Sequence, residues 1–262
     1  MKQHLGADQR GITIVELIVV MMMTILFTTI IMTFTIGYWR YGYLLEADLS
    51  TLGTRLNAGD FLRSALGPSS GLISQNSIPD PNVNNADPSI STGNFWVPIH
   101  AVPGNKPIGA KGTTTPLLYY RRPSSTANGS YIMNGSQPYE DEYVLYLNGT
   151  TKSLMQRSLA NPNASGNKLK TSCPPAAVTS ICPADKTIAT ELASIDMRYF
   201  SRTGNLIDYT SMQDPVTGAY TGPDFTATEV VEFNLNIVKK TFLQTSNSVS
   251  NSTIVRVALR ND

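Results

Sequence analysis

Hydrophobic positions along this chain follow three successive patterns. From Leu17 to Trp39 an unbroken run of 23 residues carries no charge. At about 1.5 Å rise per residue, a helix of that length spans the ~30 Å hydrocarbon core of a bilayer. Beyond it, Leu45, Leu49, Leu52 and Leu56 recur at intervals of four, three and four, which is one face of a helix. Together these two patterns predict a single helix from Ile12 to about Leu66, stopped at Gly67-Pro68. Its first half, 12–39, is expected to lie against lipid or neighbouring helices. Its second half, 40–67, is expected to turn the leucine stripe toward a globular domain. Gly42, Gly53 and Gly59 lower helix propensity there, so local kinks are expected.

The third pattern begins after Pro68. Residues 68–94 are rich in Pro, Asn and Ser without a period, and predict an extended surface loop. Asp80, Asn82 and Asn84 imitate the opening of a calcium loop, but Asn85 and Ser91 stand where that loop needs Gly and Glu, so the pattern fails. From Phe95 onward, short apolar runs alternate with turns: 95–99, 117–121 and 131–133 are strand candidates. Asn148-Gly149, between EYVLYL and the next run, predicts a hairpin with a type I′ turn. Gly204 predicts the turn of a second hairpin, after 193–200. Val231, Phe233, Leu235 and Ile237 alternate as a half-buried strand does, and 252–261 reads as a last strand. The fold class expected is α+β: one long N-terminal helix on an antiparallel β-sheet head spanning 95–262.

Composition narrows the setting. Charged residues make up only 15% of the chain and the net charge is +1, which suits a surface-displayed protein and gives no electrostatic footprint for nucleic acid or anionic lipid. The apolar run is longer than the ~7–15 residues of a cleaved secretory signal and has no A-x-A pattern behind it. Lys2 and Arg10 precede it and Arg40 alone follows closely, which favours a cytoplasmic N-terminus with the remainder outside. In an exported domain, Cys173 and Cys182 are expected to form a disulfide. With His4 and His100 as the only histidines, no zinc ligand set completes itself.

One more feature stands at the start of the run. Gly11 joins a short polar leader to the apolar helix, and Glu16 lies within it; a carboxylate at such a depth usually has a partner. The junction R-G-I-T-I-V-E-L-I-V resembles the leader of type IV pilins and type II secretion pseudopilins. The resemblance implies cleavage between Gly11 and Ile12 by a prepilin peptidase, removal of residues 1–11, N-methylation of Ile12, and an assembly role for Glu16 as the acid at the fifth mature position. Ile replaces the usual Phe at the first mature position, and the mid-helix proline of many members is missing. A freed ammonium at Ile12 and the Glu16 carboxylate would neutralise each other, within one helix or between subunits, and would set the register of a filament. The strands and the ending Leu259-Arg260-Asn261 more loosely resemble the larger minor pilins and J-type pseudopilins.

Other chemistry is weakly indicated. His100 sits among prolines, and Asp196, Asp208, Asp214 and Asp224 are scattered. There is no P-loop or dinucleotide fingerprint, so neither catalysis nor a cofactor is expected. Tyr119, Tyr120, Arg121 and Arg122 combine residue types used for single-stranded nucleic acid. An ordinary exposed strand explains them equally, and the balanced charge argues against a nucleic-acid partner. The N-x-S/T triplets at Asn128, Asn134, Asn148, Asn163 and Asn251 are read as chance, two of them as turns. The expected function is therefore a minor pilin of a type IV pilus, in a tip or priming role. It would be held in the membrane before assembly, with sister pilins and an inner-membrane assembly platform as partners. The alternatives are a minor pseudopilin of a type II secretion system and a membrane-anchored extracellular binding protein that never polymerises.

Overall fold

The computed structural model of the chain describes residues 13–83, 91–96, 104–107, 114–207, 227–240 and 248–259. Helix α1 runs without interruption from Ile14 to Leu66, 53 residues, or roughly 80 Å at ~1.5 Å per residue. Gly42, Gly53 and Gly59, where kinks were expected, all lie within the unbroken helix. Around Gly37, Gly42 and Gly53 nothing lies within 4 Å of the space a Cβ would occupy, so they remain helical without being pressed by a neighbour. Among the described residues α1 is the one helix long and apolar enough to cross a membrane.

Among the described residues thirteen strands follow in order: β1 (Gly71–Ile73), β2 (Ser91–Thr92), β3 (Phe95–Trp96), β4 (Gly104–Pro107), β5 (Thr114–Pro123), β6 (Met133–Asn134), β7 (Gln137–Pro138), β8 (Glu140–Asn148), β9 (Ser153–Leu159), β10 (Lys186–Ala189), β11 (Leu192–Phe200), β12 (Val230–Lys240) and β13 (Ser248–Ala258). They form a five-stranded sheet ordered β1-β5-β8-β9-β10 and a four-stranded sheet ordered β13-β12-β11-β4, with two small ribbons, β2-β3 and β6-β7. Every pairing between these strands is antiparallel. The two sheets are stitched where β10 passes into β11: Leu192 N–H donates to Lys152 O (3.0 Å) and Val238 N–H to Glu191 O (2.8 Å). The α+β architecture read from the sequence is the one observed.

The alternation in β12 holds: Val231, Phe233, Leu235 and Ile237 are fully buried. The first three join Tyr199, Val255 and Val257 with Ala58, Leu62, Ala65 and Leu66 of α1 in one core.

Three expectations are corrected. The 68–94 segment is no simple surface loop. Gly71–Ile73 extends the first sheet against β5, and Leu72, Ile78 and Val83 enter the core. The buried Glu142 carboxylate pins this stretch by accepting the N–H groups of Ser77 (2.7 Å) and Ile78 (2.9 Å). The β8–β9 turn is also not a two-residue type I′ turn. Asn148 pairs with Ser153 inside the ladder, and its side-chain oxygen captures the N–H groups of Thr150 (2.9 Å) and Thr151 (3.1 Å). The left-handed position falls on Lys152 at φ 50°. Asparagine acts here through its side chain rather than its backbone.

The third correction concerns the leucine stripe. Leu45, Leu49, Leu52 and Leu56 are 44% to 61% exposed. The head packs instead on Ala47, Thr51, Ala58, Gly59, Leu62, Ala65 and Leu66. At 3.6 residues per turn this face lies roughly 120° around the helix from the leucines. Small residues win because they let the helix approach the sheet: a Cβ on Gly59 would sit 3.4 Å from Val255 Cγ2. Polar contacts fix the same face, since Asn251 Nδ2 donates to Asp48 Oδ1 (2.8 Å) and Thr51 Oγ1 (3.0 Å), and Lys239 Nζ to Ser50 Oγ (2.9 Å). Periodicity located a face but could not name what lies against it.

The second hairpin turn is present at Gly204, with φ 79°; Phe200 bridges Leu206. The rest of that return run, together with Asp208, Asp214, Asp224, His100, residues 97–99 and Arg260-Asn261, lies outside the described residues.

Candidate functional site

Gly11 and Ile12 lie outside the described residues; Glu16 is described. Thr13 caps α1 and forms a capping box with Glu16. Thr13 Oγ1 accepts the Glu16 N–H at 3.3 Å, while Glu16 Oε2 accepts the Thr13 backbone N–H at 2.9 Å and its hydroxyl at 3.0 Å. The carboxylate thus folds back toward the helix start and satisfies a backbone donor that the helix cannot. Thr at position 13 with Glu three residues on is a capping signal that the sequence reading passed over.

The surface of α1 from Leu17 to Trp39 is uncharged, mostly apolar and exposed throughout. Its hydroxyls are internally satisfied: Thr24, Thr28, Thr29, Thr33 and Thr35 each donate to the carbonyl four residues earlier, at 2.7–2.8 Å. No polar donor is therefore stranded if lipid or another helix surrounds the segment. Tyr38, Trp39 and Tyr41 follow, all exposed, the residue types that favour a bilayer–water interface. The exposed leucines then continue an apolar surface beyond that belt.

In the head, Tyr119 and Tyr120 are fully buried. Tyr120 stacks on Tyr143 at 5.0 Å between ring centroids, and Arg121 engages Glu140 and Glu142. Burial raises the pKa of both tyrosines and removes their rings from base stacking, so this cluster makes no nucleic-acid platform. Asp196 pairs with Arg198 at 3.3 Å.

Cys173 and Cys182 are joined as a disulfide, with Cα atoms 5.6 Å apart. The loop it closes is docked: Cys173 N–H donates to Pro183 O and Asp185 N–H to Cys173 O, both at 2.8 Å. Replacing both cysteines by Ser is expected to cost roughly 2–3 kcal/mol, the loop-closure entropy of so short a ring, read as a lower urea midpoint with an unchanged slope.

Next to that loop is a buried ionic cluster that the sequence did not announce. Arg157, on β9, grips Asp185 through Nε (2.6 Å) and Nη2 (2.7 Å), and reaches Asp80 through Nη1 (2.6 Å). Trp96 Nε1 (2.9 Å) and the Asn82 N–H (2.9 Å) complete the shell of Asp80. Tyr146 and Ser172 hydroxyls, each at 2.6 Å, complete that of Asp185. Burial disfavours the Arg157 charge, but the hydrogen bonds to Asp185 and the charges of Asp80 and Asp185 outweigh it and hold its pKa above the ordinary value. The cluster ties the 74–83 segment, the main sheet and the disulfide loop together. Its partners lie 77 and 28 residues from Arg157, too far for any local pattern to reveal. Asp80, the first residue of the failed calcium motif, is thus a structural anion.

No protein family, curated protein or solved structure matches this chain.

Proposed function

We propose that the chain is a non-enzymatic, membrane-anchored subunit of the type IV pilin superfamily, a minor pilin built into a surface filament. It is cut between Gly11 and Ile12, methylated on Ile12, and oriented with its N-terminus in the cytoplasm before extraction from the membrane. One observation carries the reading. The helix turns its small-residue face to the head and leaves Leu45, Leu49, Leu52 and Leu56 outward, in line with an apolar surface longer than a bilayer is thick. A simple anchor has no use for the second part of that surface, whereas a subunit that buries its helix among sister helices does.

Glu16 supports the same reading. Its carboxylate already faces the Thr13 amide, one residue from the amine that cleavage would create, and can neutralise that charge within its own helix or on a neighbour.

Two measurements test this. The wild-type protein recovered from cells is expected to have lost residues 1–11 and gained one methyl group by mass spectrometry; Gly11→Ala is expected to keep its full mass and stay out of fibres. Leu49→Glu/Leu56→Glu is expected to be processed and folded normally, with the disulfide formed, yet to fall at least tenfold in sheared surface fibres. Normal incorporation of that double variant would leave a plain anchor as the better account.

A further inference from the structure

The flank of the first sheet, beside the C-terminal end of α1, carries an open cleft of about 350 Å³ lined by Lys168, Lys170 and Lys186 together with Tyr143, Gln156 and Ser158. Three of the nine lysines in the chain meet there, and no carboxylate lines the cleft. Nearby acids in sequence are committed elsewhere: the buried Glu142 carboxylate, next to Tyr143, accepts the Ser77 and Ile78 N–H groups and pairs with Arg121. Asp185 is buried against Arg157, and the Asp141 carboxylate accepts the Asn161 N–H (2.9 Å) and Asn167 Nδ2 (2.7 Å). Arg122 adds a further cation, with its guanidinium carbon 6.0 Å from the centre of the Tyr143 ring. In a chain whose charges otherwise balance, this is a local excess of positive charge.

We infer that this cleft binds a polyvalent oxyanion ligand, a chain bearing sulfate or phosphate groups, through Lys168, Lys170 and Lys186. The geometry decides the class. All three lysines are exposed, so each contact is weak and screened by salt, and useful affinity needs several charges on one ligand. Lysine presents a point charge rather than the planar fork of arginine, which suits sulfate and phosphate over a bidentate carboxylate lock. Base stacking is disfavoured: the Tyr143 ring already stacks on Tyr120, and the Arg122 guanidinium lies over it. That favours an acidic saccharide-type polymer over single-stranded nucleic acid. Lys186 also lies 4.2 Å from the Phe61 ring centre, which places the cleft about twenty residues, or roughly 30 Å along α1, beyond the aromatic belt. It therefore faces the medium rather than the membrane.

The test uses the full chain in neutral detergent, with dextran sulfate as the polymer, neutral dextran as its control, and inorganic sulfate and pyrophosphate as small anions. Dextran sulfate is expected to bind at 50 mM salt at least tenfold more tightly than either small anion, and neutral dextran not at all. Lys168→Gln/Lys170→Gln is expected to weaken binding at least tenfold and to reduce the slope of log affinity against log salt by about two, one per lysine. The control Lys152→Gln/Arg202→Gln removes the same charge elsewhere and is expected to change affinity less than twofold. Should the Gln pair lower the melting temperature, Lys168→Arg/Lys170→Arg keeps the charge and is expected to retain binding. Equal losses in the control pair, no binding of dextran sulfate, or preference for single-stranded DNA over it would each overturn the inference.

Discussion

Arg157→Leu is expected to be the most damaging single substitution in the head, lowering unfolding free energy by about 3–5 kcal/mol. Among the described residues the guanidinium is the sole cation bonded to either of two buried carboxylates, Asp80 and Asp185. Removing it leaves two negative charges in the interior while their remaining neighbours, Trp96, Tyr146 and Ser172, supply only dipoles. The cost is the desolvation of uncompensated charge, not the loss of packing, because Leu fills part of the space. A second set of variants separates these causes. Adding Asp80→Asn and Asp185→Asn to Arg157→Leu is expected to recover a good part of the loss, since neutral amides no longer need the cation. Urea unfolding followed through Trp96 fluorescence, in a Trp39→Phe background, reads both results. If the triple variant is no more stable than Arg157→Leu alone, charge is not the cause.

Leu62→Ala is expected to cost about 3–4 kcal/mol, within the range for a fully buried leucine that leaves a cavity. Leu62 is buried where α1 meets the core, alongside Ala58, Ala65 and Leu66. Small flanking residues leave few long side chains able to lean into the gap, so relaxation is limited. Leu56→Ala is the internal comparison. That side chain is 61% exposed, and its truncation is expected to change head stability by less than about 0.5 kcal/mol. The pair asks which side of the helix the head uses. Equal costs at the two positions would reverse the assignment of faces.

Much of the architecture was legible in the sequence because it rests on local periodicity. The uncharged run and the Gly67-Pro68 stop fix α1; alternation at Val231, Phe233, Leu235 and Ile237 fixes β12; two cysteines nine residues apart fix the disulfide. What was missed depends on contacts distant in the chain. The leucine stripe is a true face, yet its role depended on whether Ala47 and Gly59 offered β13 a closer approach. Asp80 looked like part of a loop because Arg157, its partner, is 77 residues away. The lysine cleft joins residues from β9, β10 and the segment between them, and only the folded sheet brings them to one place. At Glu16 the signal is local: Thr13 caps the helix and Glu16 stands three residues on, the spacing of a capping box.

The docking of α1 onto β13 has a kinetic side. Asp48 and Asn251, which meet across that seam, are 203 residues apart in the chain. Contacts so remote close late and slowly, so α1 is expected to dock only after β12 and β13 have paired.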